Sequence, residues 1–125
     1  MSKTALVITT QAEVKILDIE HNTLSQLQNA VDGLIQPIDL DANAVMWVNE
    51  EGLFRNDLEA NDIATSLYAQ MYQITNPIIG DVVFTGGADD NGDTLGLTEE
   101  YVKALTEMAD NYRKVMSQFN LMIAK

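Results

Sequence analysis

Residues 78–84 read Ile-Ile-Gly-Asp-Val-Val-Phe, a nearly continuous apolar run in the second half of the chain. A short apolar run of this kind, closed by a Gly- and Asp-rich loop over residues 86–96, is typical of a strand that is covered on both faces. We therefore predict a buried central strand over Ile78–Phe84, with the rest of the sheet assembled beside it.

Two further pairs of strands are predicted before this run. Thr4–Thr10 is apolar and β-branched, and Glu13–Ile19 alternates polar and apolar residues, so these segments form a hairpin. Leu34–Leu40 and Ala44–Glu50 form the second pair. Because a proline cannot donate a ladder hydrogen bond, Pro37 makes its strand an edge strand or a bulged one.

Helical spacing of apolar residues predicts three helices. The first is a short helix that begins after Asn22 and ends at Gly33, the second covers Asp62–Tyr72 with Asn61 as its N-cap, and the third is a long helix over Glu99–Met122. The order β-β-α-β-β-α-β-α predicts an α+β domain with a mostly antiparallel sheet, two short helices and one long C-terminal helix.

Composition limits the function classes. The chain has 125 residues and a mass of 13.8 kDa, so we expect residues 1–125 to form a single domain. Nineteen Asp and Glu against seven Lys and Arg give a formal charge of −12, which argues against nucleic acid and against an anionic membrane as partners. Cys is absent, which excludes thiolate chemistry, and His21 is the one histidine, so any catalytic triad or His-rich metal site would have to rest on that single imidazole.

We also expect no metal and no cofactor. The start of the chain lacks the long apolar stretch of a secretory signal, and no run is long enough to span a bilayer, so a cytoplasmic protein is expected.

The long helix has an apolar stripe at heptad spacing. Its members are Leu105, Met108, Tyr112, Val115, Phe119 and Met122. The helix spans roughly 35 Å, whereas strands of this domain are shorter. The stripe is therefore expected to pack on the domain's own sheet and, in part, to reach another subunit.

Two arginines stand out in this acidic chain. If the protein binds an anionic ligand, Arg55 and Arg113 are the best donors, because a guanidinium group can fork onto phosphate oxygens. Tyr112 precedes Arg113, so its ring and the guanidinium group can project toward one site. The alternative is that both arginines are solvated or pair with carboxylates.

The loop over residues 86–96 partly matches a calcium-binding loop. Asp89, Asn91 and Asp93 occupy alternate positions, but Thr94 stands where that motif needs a glycine. A plain turn is therefore favoured, and a backbone-rich ligand loop remains open.

Several short motifs along the chain resemble those of a known domain family. They are Val48-Asn49-Glu50-Glu51-Gly52, Asn61-x-x-Ala64-Thr65, Ile79-Gly80-Asp81-Val82-Val83 and Gly96-Leu97-Thr98. With them, nearly the whole chain is similar to a small domain found in phages and in bacteria that carry mobile elements. Its best-understood relatives are the phage Thoeris anti-defence sponges of the first described type.

The resemblance implies a protein that is not an enzyme. Such sponges bind cyclic ADP-ribose isomers made by host TIR-domain proteins and withhold them from the defence effector. Some also hold cyclic oligonucleotides at a separate site, and they assemble as homodimers or homohexamers with pockets at subunit boundaries.

The resemblance also implies site residues. For the first ligand these are Phe84 as an adenine-stacking ring, Asn91 as a polar contact, and Arg113 with Tyr112 for the phosphates; for the second pocket they are Arg55, Asn56 and Asn61. This chain departs from the family pattern at Ala109, where a second helix cation is expected.

Two alternatives come from other function classes. The acidic charge favours a protein-interaction module, such as a DNA-mimic inhibitor of a host nuclease. The many carboxylates would also suit a metal-dependent enzyme that modifies nucleotides.

Overall fold

The computed structural model describes residues 3–73 and 76–123. Their elements are β1 (Thr4–Ile8), β2 (Val14–Asp18), α1 (Thr23–Val31), β3 (Ile35–Asp41), β4 (Ala44–Asn49), a 3₁₀ turn (Gly52–Phe54), α2 (Asp62–Tyr72), β5 (Val82–Thr85) and α3 (Glu99–Ile123). The predicted α+β class, with an antiparallel sheet and one long final helix, is confirmed.

The sheet has five strands in the order β2-β1-β5-β4-β3, and every pairing is antiparallel. As predicted, the apolar run supplies the central strand, in which Phe84 lies between Leu6 of β1 and Met46 of β4. The strand starts later than Ile78, because Gly80 has a φ of 93° and turns the chain just before it. Pro37 lies on the edge strand β3, where its missing N–H costs no ladder bond.

Helices cover both faces of the sheet. On one face, α2 and α3 bury Ile63, Leu105 and Ala109 against side chains of β1, β3, β4 and β5. On the other face, α1 buries Leu27 and Val31 against β1 and β5. This three-layer arrangement follows from the burial of β5 on both faces, since a strand with two apolar faces needs cover on each side.

The helix α1 ends differently from the prediction. The residue in the left-handed conformation is Asp32, with a φ of 60°, and not Gly33. A short polar side chain tolerates that conformation. Gly33 is needed for space instead, because a Cβ there would lie 2.8 Å from the amide nitrogen of Asn49.

The helix α3 crosses the sheet and continues beyond it. Its N-terminal end is tied to the β3–β4 turn, where the Tyr101 hydroxyl donates a hydrogen bond to the Asp41 carboxylate. At 25 residues it is roughly 37 Å long, about twice the length of β1. Only Leu105 and Ala109 of α3 are buried, so the sheet covers the first half of the helix and leaves the second half projecting. No helix within residues 3–73 and 76–123 combines the length and the apolar character needed to cross a membrane.

The hydrogen bond between Tyr101 and Asp41, which holds the start of α3, can be tested by titration. The hydrogen bond to the carboxylate raises the pKa of Tyr101 to about 12 and lowers the pKa of Asp41 below its usual value. Asp41→Asn should therefore return the pKa of Tyr101 toward its ordinary value of 10.0 in a titration of tyrosinate absorbance. Because the folded-state pKa of Tyr101 is raised, its contribution to stability is present below pH 10 and lost as the pH rises through 12.

Asp39→Asn is the matched control for this titration. It removes the same charge from the same strand two residues earlier and leaves the Tyr101 bond in place. An equal shift of the Tyr101 pKa in Asp41→Asn and Asp39→Asn would contradict a specific hydrogen bond between Tyr101 and Asp41.

Candidate functional site

An open cleft of about 530 Å³ lies between the β1–β2 turn and the side of α3, and we call it the Arg113 cleft. Its lining residues are Thr10, Gln11, Tyr112, Arg113, Met116, Ser117, Asn120 and Leu121. Two segments that are a hundred residues apart in the sequence therefore form one site.

The turn that forms one wall is held by two carboxylates outside the cleft. The backbone N–H of Thr10 donates to Oδ1 of Asp81 at 2.9 Å. The side-chain amide of Gln11 donates to Oε2 of Glu59, also at 2.9 Å. Because Asp81 directly precedes β5, the position of this wall is tied to the central strand.

Tyr112 lies at the base of the opposite wall. Its ring packs against the buried cluster on the α2–α3 face of the sheet, and its hydroxyl donates to the carboxylate of Asp62. That hydrogen bond raises the pKa of Tyr112 above its usual value. The side chain of Tyr112 is therefore held at its ring and at its hydroxyl group, and it forms part of the lining of the cleft.

Arg113 provides the cation of the cleft. Its side chain is 45% exposed, and one terminal N–H group donates to the Asp110 carboxylate on the same helix. The Nε–H group of Arg113 makes a long bond of 3.4 Å to the carbonyl of Ala109. A guanidinium group has five N–H donors, so these contacts leave donors that an anionic group in the cleft can reach.

The charge of the cleft is unlike that of the chain. None of its lining residues is acidic, and its polar groups are hydroxyls, amides and one guanidinium group. A neighbouring depression of about 300 Å³ on the other side of Thr10 is instead lined by Asp32, Asp57, Glu59 and Asp81. The lining of the Arg113 cleft thus holds one guanidinium group and no carboxylate, although Asp110, which pairs with Arg113, lies next to it.

The structure brings together two of the four residues expected for the first ligand. Tyr112 and Arg113 share the cleft, but Phe84 is fully buried in the core beside Leu105 and Ala109. The expectation of Phe84 as a stacking ring is therefore corrected. As a fully buried residue of a strand covered on both faces, it offers no ring surface to a ligand.

Asn91 lies at the opposite end of the sheet from the cleft. Its loop follows the end of β5, whereas Thr10 follows Ile8, which pairs with the start of β5. Within the loop, Oδ1 of Asp89 accepts the backbone N–H groups of Asn91 and Asp93, each at 2.9 Å. The loop's first carboxylate therefore organises the turn itself, and Asn91 is exposed at its tip.

Arg55 of the expected second pocket is already paired. Its guanidinium group makes ion pairs with Asp57 at 2.6 Å and Asp32 at 2.8 Å, and it donates to the Asp32 carbonyl at the end of α1. The hydrogen bonds that Arg55 donates to Asp57 and Asp32 raise the pKa of Arg55, and the same pairing lowers the pKa of Asp57. Arg55 thus joins the α1 C-terminus to the loop after β4.

Asn61 has a structural role that accounts for all of its side-chain polar groups. Its Oδ1 accepts the N–H of Ala64 at 3.1 Å and caps α2, as predicted. Its Nδ2 donates to the carbonyls of Ile8 at 3.0 Å and Gly80 at 3.1 Å. Asn61 is 1% exposed, so the expectation that it contacts a ligand is corrected, while Asn56 lies exposed in the preceding loop.

Sequence reasoning missed most of the cleft. Arg113, Ser117 and Asn120 recur at helical spacing on one side of α3, and that pattern could have indicated the helical wall. Thr10 and Gln11 carry no such signal, because only the folded sheet brings their turn to α3. In the part of the chain that the structure describes, no three acidic or histidine side chains converge as metal ligands.

Fold and site together define a small α+β domain with an open cleft that is lined by one guanidinium group and no acidic residue. The chain belongs to the family described as a domain of unknown function, DUF3846, whose model matches residues 1–110. No curated protein and no solved structure matches the chain. The matched stretch includes Thr10 and Gln11 but ends before Tyr112, so the helical wall of the cleft lies beyond it.

Substitution of the two asparagines expected in the second pocket should have very different effects on the free energy of unfolding. Asn61→Ala leaves buried carbonyls and the start of α2 without a partner, so it should lower the free energy of unfolding by about 3 kcal/mol. Asn56→Ala, on the exposed loop, should change it by less than about 0.5 kcal/mol. Urea unfolding of both variants measures this difference, and equal stabilities would contradict the structural role of Asn61.

Proposed function

We propose that this protein binds a cyclic nucleotide signal of the cyclic ADP-ribose type in the Arg113 cleft and holds it without cleaving it. The observation that carries the proposal is the pairing of a guanidinium group and an aromatic ring in a cleft with no acidic lining residue, on a chain of charge −12. Such a protein would act as an anti-defence sponge, in line with the resemblance in its motifs.

The chemistry of the cleft suits both parts of such a ligand. The Arg113 guanidinium group can donate two parallel hydrogen bonds to phosphate oxygens. The Tyr112 ring supplies the aromatic surface that Phe84 cannot, and stacking on a base contributes roughly 1–3 kcal/mol. Hydroxyl and amide groups of Ser117 and Asn120 add donors along the same wall.

Asp110 sets the strength of the site. Its carboxylate competes with a phosphate for the Arg113 guanidinium group and lies at the edge of the same helix. A ligand that binds the remaining donors of Arg113 must therefore lie beside this carboxylate, whose negative charge lowers the affinity of the site for anions.

Native mass spectrometry with a panel of cyclic ADP-ribose isomers and cyclic oligonucleotides tests the proposal directly. We expect a complex with at least one cyclic ADP-ribose isomer, and release of that ligand with unchanged mass after heat denaturation. A cleaved product would identify an enzyme instead, and the absence of binding to every member of the panel would overturn the proposal.

Substitutions of residues in and beside the Arg113 cleft test whether the ligand binds there. Arg113→Ala should weaken binding by roughly 10- to 100-fold in calorimetry, since a hydrogen bond to a charged group is lost. Asp110→Asn should tighten binding, because it frees the guanidinium group. Lys114→Ala removes the same charge one residue further along, outside the cleft, and should leave the affinity within about threefold.

A second candidate rests on the acidic depression beside Thr10. Four carboxylates surround it, and the one guanidinium group that pairs with two of them does not balance the set. A basic protein surface, such as that of a DNA-binding nuclease, would fit this face. A complex with such an enzyme that dissolves at high salt, without binding of any cyclic nucleotide, would favour this function over the first.

A further inference from the structure

A second cavity, of about 320 Å³, lies at the opposite end of the sheet from the Arg113 cleft, and we call it the Trp47 cavity. The residues that line it belong to β3, to β4, to the turn between them and to the Gly-rich loop: Pro37, Asp39, Asp41, Ala42, Val45, Trp47, Gly86, Gly87, Ala88, Gly92 and Thr94. It shares no lining residue with the Arg113 cleft. Its volume is at the lower end of the range that small-molecule sites occupy.

The sheet supplies an apolar floor with one aromatic ring. Pro37 of β3 pairs with Trp47 of β4. Two residues further along β3, Asp39 pairs with Val45, so these four side chains project from the same face of the sheet. Trp47 packs against the buried cluster beneath α1, which places the cavity on the α1 face. The indole N–H of Trp47 donates to Oγ1 of the fully buried Thr85 at 2.8 Å, and this hydrogen bond holds the ring at the cavity.

The charged groups of the cavity are two carboxylates. Among the described residues, the exposed carboxylate of Asp39 has no hydrogen-bond or ion-pair partner. Asp41 accepts hydrogen bonds from the Tyr101 hydroxyl and, at 2.7 Å, from the backbone N–H of Asn43. A carboxylate has about four acceptor sites, so Asp41 can accept further donors. Within the part of the chain that the structure describes, no basic side chain lines the cavity, which therefore favours a cation.

The arrangement of these groups indicates which cation fits. Trp47 and Asp39 are diagonal neighbours across β4 and β3, so one ammonium group can contact the indole ring and the carboxylate together. Asp41 lies two residues beyond Asp39, with the two Cα atoms roughly 7 Å apart. A second ammonium group on a short methylene chain can span that distance. Val45, opposite Asp39, offers apolar contact to the methylene groups.

We propose that the Trp47 cavity binds a linear aliphatic polyamine, with one ammonium group between Trp47 and Asp39 and a second at Asp41. A lysine side chain of a partner protein carries the same chemistry but only one ammonium group, so it leaves one carboxylate without a cation. The proposal stands apart from the Arg113 cleft, because it concerns another end of the sheet and a ligand of the opposite charge.

Trp47 is the one tryptophan of the chain, so its fluorescence reports on this cavity directly. Titration with putrescine, a diamine with four carbons, should change the Trp47 emission in a saturable way at low ionic strength. Butylamine has the same carbon chain and a single ammonium group, and it should bind roughly fivefold more weakly because one ion pair is lost. The uncharged 1,4-butanediol should cause no saturable change.

Substitution of one carboxylate tests the position of the ligand. Asp39→Asn should weaken putrescine binding roughly fivefold and should remove the preference for putrescine over butylamine. Asp90→Asn is the matched control, because it removes the same charge from an exposed residue of the neighbouring loop outside the cavity. It should leave the affinity for putrescine within about twofold. Both variants change exposed residues, and circular dichroism should confirm that they remain folded.

Three results would overturn the proposal. The first is the absence of a saturable response of Trp47 emission to putrescine. The second is an equal loss of affinity in Asp39→Asn and Asp90→Asn, which would show attraction to the acidic chain as a whole. The third is tighter binding of N-acetyl-lysine amide than of putrescine, which would assign the cavity to a lysine side chain of a partner protein.

Discussion

One buried side-chain amide connects the parts of this domain that build its cleft. Asn61 holds the end of β1 through Ile8, the approach to β5 through Gly80 and the start of α2 through Ala64. These are the points from which the β1–β2 turn and the α2 N-terminus depart. A buried amide that makes all of its hydrogen bonds holds the bonded backbone segments in place. Any displacement would leave buried polar groups without a hydrogen-bond partner.

The residues next to Asn61 and Gly80 extend this constraint to the surface. Asp62 follows Asn61 and accepts the hydrogen bond of Tyr112, while Asp81 follows Gly80 and accepts that of Thr10. Each wall of the Arg113 cleft is therefore tied to the same buried point through one carboxylate. Acidic residues that look unspecific in the sequence serve here to position the donors of a site that contains none of them.

Local structure in this chain was predictable because it depends on neighbours in the sequence. The helix over Asp62–Tyr72, its Asn61 cap and the edge position of Pro37 follow from spacing and backbone chemistry within a few residues, and the structure confirms them. The central strand was predicted by its apolar run, but its shortened start at Val82 depends on the backbone conformation of Gly80.

The site was less predictable because its parts meet only after folding. Arg113 and Tyr112 were identified by residue type and adjacency, yet the turn at Thr10–Gln11 reaches them through strand order alone. Phe84 and Asn61 are instead residues that were expected to contact a ligand and that lie in the core. Both have side chains suited to a ligand, and in both the burial that the fold imposes directs the side chain to the core. Residue type indicates what a side chain can do, whereas sheet topology decides whether a ligand can reach it.

The length of α3 relates the cleft to the projecting stripe. The sheet is too narrow to cover 25 helical residues, so the helix that supplies Tyr112 and Arg113 must continue into solvent just past them. Beyond Asp110, which pairs with Arg113, the sequence contains no further acidic residue. The place of the cleft on a chain of charge −12 follows from this length, because Arg113 stands where the acidic residues end and the basic, apolar extension begins.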